Sequence, residues 1–231
     1  MYVPGPNALD DPMVVLGLLR LLRLLRSAGI GHLVSADSAA ALESTVLPFV
    51  VDDEMTMLQA HFARANPHWR MLDGAKALMI VPVVDAYVSP SWYPSKQEDP
   101  RVVPTWNYVT AHVYGELVVH DDPQWTRDLV ERLTRHHEGH GPTAWQVSDA
   151  PAAFLAGQLK AIVGIEVRIT RVQAKTKLSQ NRPAADVDGV VRDARARGDL
   201  AMAAAVEAAR GSHGRDSRPR TAPGATGRGR S

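Results

Sequence analysis

Between Gly164 and Val172 the chain alternates strictly, with Ile165, Val167 and Ile169 on one side and Glu166, Arg168 and Thr170 on the other. A period of two puts the apolar set on one face of an extended strand, so this segment belongs in a sheet with one buried and one wetter face. Five more segments read as strands: His32–Ala36, Thr45–Val51, Met55–Ala60, Ala75–Val84 and Trp106–His120. Asp52-Asp53 marks the turn between the second and third, and Gly115 invites a bulge or bend in the long fifth one. No glycine-rich strand-to-helix turn occurs, which excludes a dinucleotide fingerprint and a P-loop and argues against an open α/β sheet. The expectation is a mostly β fold with flanking helices: a small closed barrel with the helices on its outside.

The helices announce themselves by their caps. Asp11-Pro12 and Asp122-Pro123 each pair an N-cap with a proline in the first turn, predicting helices over Pro12–Arg26 and from Pro123 to about Glu138. Arg20, Arg23 and Arg26 mark the wet side of the first; Trp125, Leu129, Val130 and Leu133 recur at helical spacing in the second. A further helix starts near Pro151, and Asp186–Arg210 is charged, alanine-rich and helical in part. From Gly211 the chain is glycine, serine, proline and arginine with almost nothing to bury, which predicts a disordered tail over 211–231 after one domain over 1–210.

With 26 basic and 25 acidic residues the net charge is +1, so the chain as a whole carries no electrostatic footprint for nucleic acid. The absence of cysteine rules out disulfides, thiolate nucleophiles and zinc–thiolate sites, and fits a cytoplasmic protein. The first apolar run, Met13–Leu25, is interrupted by two arginines and falls short of the ~20 residues a membrane span needs, so no membrane partner is expected.

Chemistry concentrates in three places. Between Tyr87 and His112 the chain gathers Trp92, Tyr93, Trp106 and Tyr108 with Lys96, Asn107 and His112, flat faces beside a cation and an imidazole that suit a planar, anionic cofactor. Composition alone favours a two-stranded ribbon whose aromatics fill a core. In HFARANPHW (His61–Trp69), Arg64 offers a rigid fork for an oxyanion and Asn66 adds an amide beside the turn, with functional and structural readings equally open. KTKLSQN (Lys175–Asn181) is expected to crowd cations and polar groups, including Lys177, Ser179 and Gln180, at a strand exit. A metal reading of His136-His137-Glu138-Gly139-His140 is rejected, because Gly139 breaks the helical face that would align His136 with His140.

The opening MYVP, Leu47-Pro48-Phe49, HFARANPHW, AYVSPSWYPSK, VVPTWNY, IVGIE and KLSQN resemble, in order, the motifs of the PaiB-type family, the FMN-binding negative transcriptional regulators. The chain departs from that pattern where Val46 stands for a histidine and Thr176 for a tryptophan. The resemblance implies an FMN-binding split barrel, a six-stranded antiparallel β-barrel paired as a homodimer. It places Arg64, Lys96, Lys177 and Ser179 on the phosphate side of FMN, and Trp106, Asn107, His112 and Gln180 nearer the ring, with His61 and Asn66 as further candidates. It implies a repressor that would reach DNA through the arginine tail or a transcription partner, since no DNA-binding motif is visible. Two alternatives follow from related branches: an FMN-dependent oxidoreductase, and a haem b enzyme similar to the piperazate synthases, which close a nitrogen–nitrogen bond, with His61 as the iron ligand.

Overall fold

The computed structural model describes residues 15–36 and 41–213, with side chains over 21–36 and 41–210. The MYVP opening, the Asp11-Pro12 cap and the tail beyond His213 lie outside the described residues. Helix α1 (Val15–Ala28) buries Leu21 and Leu25, leaves Arg23 exposed and pairs Arg26 with Asp53. Strands β1 (Ile30–Ala36), β2 (Leu42–Val51), β3 (Met57–Ala63) and β4 (Lys76–Val88) follow. Then come β5 (Thr105–His120), α2 (Pro123–Glu138), α3 (Ala152–Lys160), β6 (Ile162–Lys177), α4 (Ala184–Ala196) and α5 (Leu200–His213). The six strands close into a barrel in the order β1-β2-β3-β6-β5-β4, and every pairing with a recorded register is antiparallel.

The alternation read from the sequence fills the barrel. Leu33, Phe49, Leu58, Phe62, Met79, Val113, Leu117, Ile165 and Val167 form one buried cluster, joined by Leu21 and Leu25 of α1. The expected irregularity at Gly115 is present: the β5–β6 register shifts between Tyr114 and Gly115. A Cβ there would sit 2.3 Å from the Arg168 carbonyl oxygen, so only glycine lets the two backbones approach. β3 begins later than its apolar run suggests. Asp52 accepts from the Met57 amide at 2.8 Å and from the Thr56 hydroxyl, holding Met55 and Thr56 in the turn.

Asp122 caps α2 as expected, accepting from the Trp125 amide at 2.8 Å. α2 lies on the outer face of the sheet, and that overturns one expectation: Glu166, read as outward and wet, is only 7% exposed. Its carboxylate is 3.3 Å from Arg168 Nε and 3.7 Å from His120 Nε2, while the His120 ring stacks on Trp125 at 4.0 Å. Gly164, the register partner of both His120 and His61, makes room for that indole, since a Cβ there would come within 2.2 Å of it.

The described residues divide into two compact units, those up to Asp85 with Tyr108–Lys177, and Ala86–Asn107 with those from Leu178 onward. In the second unit α4 packs on the SPSWYPSK segment. Trp92 and Tyr93 are 7% and 2% exposed, and a Cβ on Gly189 of α4 would lie 1.9 Å from the Trp92 carbonyl oxygen. Asp186, fully buried, accepts from the Ser95 amide (3.0 Å) and hydroxyl (2.7 Å). Arg182 and Arg197 lie over the rings of Tyr93 and Trp92, at 4.5 and 5.0 Å. The aromatic run is thus mainly the core of this unit, with Trp106 and Tyr87 left exposed and edge-to-face.

Candidate functional site

The barrel's outer face along β5 and β6 carries a ladder of a different character from its surroundings. Successive outward positions pair Tyr108 with Lys177, Thr110 with Lys175, His112 with Gln173, and Tyr114 with Arg171. Most of these side chains are half-buried, and neither strand segment contains a carboxylate. Lys175 Nζ lies 5.4 Å from the Tyr108 ring centroid and the Arg171 guanidinium 3.8 Å from that of Tyr114. Tyr114 is pinned by its hydroxyl, which donates to Gln173 Oε1 at 3.3 Å, and His112 meets its ring edge-on. Aromatic faces held beside cations, with no balancing acid in these segments, make a surface fitted to a flat anion.

His112 sharpens that description. Its Nδ1 is buried with no hydrogen-bond partner among the described residues, and burial pushes the imidazole below its usual range, so the ring is neutral at pH 7. An orphaned buried nitrogen is costly unless a ligand group completes it. The face thus offers two lysines, two tyrosine faces, a neutral imidazole and an amide to a flat anion.

The other sequence candidates divide between the units. In the barrel unit, Arg64 has its donors engaged: a two-pronged bond to Asp121 at 2.9 and 2.5 Å, and bonds to the Lys160 and Ile162 carbonyls. That pairing raises the arginine and holds the Asp121 carboxyl below the usual range. Asn66 caps the short helical turn Pro67–Met71, accepting from the His68 amide at 3.0 Å and donating to Thr45. Both are fastenings of the β3 exit in this structure. His61 lies on the outer face of β3, opposite Gly164, with Nδ1 buried and without a partner among the described residues, and burial lowers its pKa. His112 is opposite Gln173, nine residues further along β6, which is about 30 Å of extended strand. A single ligand on this barrel therefore cannot touch His61 and Lys177 together.

In the second unit, Asn107 and Ser179 are buried and bonded to each other (3.0 and 3.2 Å), with Ser179 at φ +63°. Gln180 accepts from the Leu178 amide at 2.7 Å, Lys96 is exposed in the second short turn of the SPSWYPSK segment, and Trp106 is 53% exposed. Lys175 and Lys177 belong to β6 itself rather than to a loop after it. Tyr114, Gln173 and Arg171 were missed as site residues. Tyr108, His112 and Tyr114 do share one face at a spacing of two within β5, a signal the sequence contains; their cationic partners on β6 depend on a register that it does not.

A closed six-stranded antiparallel barrel with flanking helices is the split-barrel class. The chain belongs to the family described as "Putative FMN-binding domain", whose profile matches residues 1–171. It is 31% identical over 149 residues to the protease synthase and sporulation protein PAI 2 of Bacillus subtilis, covering 63% of this chain and 68% of that protein. In fold it is similar to the conserved hypothetical protein Rv2991 of Mycobacterium tuberculosis (TM-score 0.54, 10% identity, 79% of this chain and 94% of that one). It is also similar to the FAD and heme binding protein of Mycobacterium smegmatis (TM-score 0.51, 18% identity, 69% and 70%). Among the described residues no helix is long and apolar enough to cross a membrane.

Proposed function

We propose that this chain holds FMN on the outer face of β5 and β6 and serves, as a cytoplasmic homodimer, as a flavin-dependent negative regulator of transcription. The carrying observation is the ladder from Tyr108–Lys177 to Tyr114–Arg171, cationic and aromatic with an orphaned imidazole in its middle. In this reading Lys175 and Lys177 hold the phosphate, Tyr108 and Tyr114 flank the ring system, and His112 and Gln173 meet its polar edge. Bound flavin supplies one- and two-electron chemistry; the protein supplies position and charge. The homodimer is supported by an apolar outer face on neighbouring strands, where Ile30, Leu42 and Val46 are 48%, 76% and 52% exposed.

Direct DNA contact through the helices after β6 has no charge support, because Ala184–Arg210 holds four arginines against five carboxylates. Regulation would then run through a protein partner or the arginine-rich tail. The same face supports a second reading, a flavin-dependent oxidoreductase, since nothing in the ladder distinguishes a sensing flavin from a catalytic one. The haem reading rests on His61, whose Nδ1 is buried without a partner among the described residues just as that of His112 is.

Titration of the purified protein with FMN, followed by desalting and an absorption spectrum, tests the reading. Retained flavin that Lys175→Ala and Lys177→Ala each weaken by about tenfold or more would support it, because charge-assisted bonds are worth about 1.5–3 kcal/mol. Flavin retained equally by both variants would place the cofactor elsewhere. A Soret band lost in His61→Ala would move the function to haem.

A further inference from the structure

A second concave site lies on the barrel unit, away from the β5–β6 ladder. Where α2 ends, Gly139 adopts φ +77°, ψ −151°, a conformation essentially closed to side-chain-bearing residues. That turn sends the chain back along the helix and leaves a cleft of about 500 Å³ between α2 and the segment Gly139–Ser148. The volume falls within the range of small-molecule sites. The returning segment is anchored rather than loose. Gly139 N donates to the Arg135 carbonyl at 3.1 Å, Val147 is buried, and the Gln146 amide donates to Asp149 at 2.8 Å.

Three side chains give the cleft its chemistry. Trp145 lines it yet stays 46% exposed, an indole face with little covering it. Glu131 and Arg135 line it from one face of α2, one turn or about 6 Å apart. They do not neutralise each other: Glu131 uses Oε1 for Arg127 at 3.1 Å, and the Arg135 guanidinium has no acceptor among the described residues. Glu131 Oε2 and the Arg135 guanidinium are left for a ligand, and a molecule carrying both charges on an apolar body engages both together with the indole.

We infer that the cleft between α2 and Gly139–Ser148 binds a small zwitterion with a flat apolar group, of the aromatic amino acid class. Its carboxylate pairs with Arg135, its ammonium with Glu131, and its ring stacks on Trp145. His140, just beyond the histidine-rich end of α2, also lines the cleft. The site is independent of the flavin face, and it gives a regulator of this family a place to sense a metabolite.

The test is titration of the full-length chain with L-phenylalanine by calorimetry, beside phenethylamine and 3-phenylpropionate, each of which lacks one charge. Saturable binding of phenylalanine, with both analogues weaker by about tenfold or more, is the expected result. Glu131→Gln and Arg135→Gln should each weaken phenylalanine by a similar factor and abolish the preference over one analogue, Arg135→Gln that over phenethylamine and Glu131→Gln that over phenylpropionate. Trp145→Ala should remove binding, while Trp145→Phe retains most of it. These positions are on the surface, so unchanged melting temperatures separate lost binding from lost fold. The inference is overturned by no saturable binding up to about 10 mM, by analogues that bind as well as phenylalanine, or by variants that bind like wild type. Lys177→Ala should leave phenylalanine binding unchanged; a parallel loss would assign the ligand to the other face and overturn the inference.

Discussion

Asp186 offers a direct test of how the SPSWYPSK segment is held. Its carboxylate is fully buried and accepts two bonds from one residue, the Ser95 amide at 3.0 Å and the Ser95 hydroxyl at 2.7 Å. Asp186→Ala leaves both donors without an acceptor, at about 1–3 kcal/mol for each such group. Ser95 is only half-buried, so water partly replaces the carboxylate and the lower part of the range applies. The expected loss is about 2–4 kcal/mol, a large fraction of the ~5–15 kcal/mol that stabilises a typical domain. With a urea slope of about 2–3 kcal/mol/M, the midpoint falls by roughly 1 M. Ser95→Ala, which removes one bond and no backbone donor, should cost about 1 kcal/mol, and the double variant should lose less than the sum of the singles. Urea unfolding followed by circular dichroism and tryptophan fluorescence reads all three. An Asp186→Ala protein within about 0.5 kcal/mol of wild type, or strict additivity with Ser95→Ala, would refute the reasoning.

Other substitutions probe the barrel. Gly164→Ala should destabilise by about 1–3 kcal/mol, because its methyl meets the Trp125 ring, and by less in a Trp125→Leu background; thermal melts of the four proteins check this. The Arg64–Asp121 pair holds the carboxyl below its unfolded value, so it adds stability above about pH 4 that is lost as pH falls through the lowered folded value. Asp121→Asn should therefore be less stable than wild type at pH 7 and converge with it in acid, as denaturation curves across pH would show. His61 and His112 are held neutral by burial, with folded values below the unfolded ~6.5, so the unfolded chain binds more protons as pH falls through that window. Stability should decline from about pH 7 downward, and His61→Gln should flatten that decline. With the homodimer proposed above, Val46→Glu should shift the species seen in sedimentation from dimer to monomer without altering the fold, because Val46 is half-exposed on the apolar face.

Local rules carried further for the framework than for the site. α2 was legible to its ends, since Asp122-Pro123 is a self-contained capping signal and Gly139 a self-contained stop. The six strands were legible as periodic apolar runs, and Gly115 as a bulge, because a glycine amid strand formers has few other uses. Glu166 was misread, since whether an outward position is wet depends on what packs over it, and α2 arrives there from a different part of the chain. Arg64 and Asn66 have the residue types of an oxyanion site; their partners, Asp121 and Thr45, are supplied by folding.

The sequence by itself determined the barrel, its outer helices and the family, because alternation, caps and long motifs are properties of neighbours along the chain. Tertiary structure alone decided which aromatics are core and which are surface. Trp92 and Tyr93 vanish beneath α4, while Tyr108 and Tyr114 face outward beside Lys175, Lys177 and Arg171. The reason is register: a strand's residue types fix which side chains share its face, but only pairing with a distant strand fixes what stands next to them.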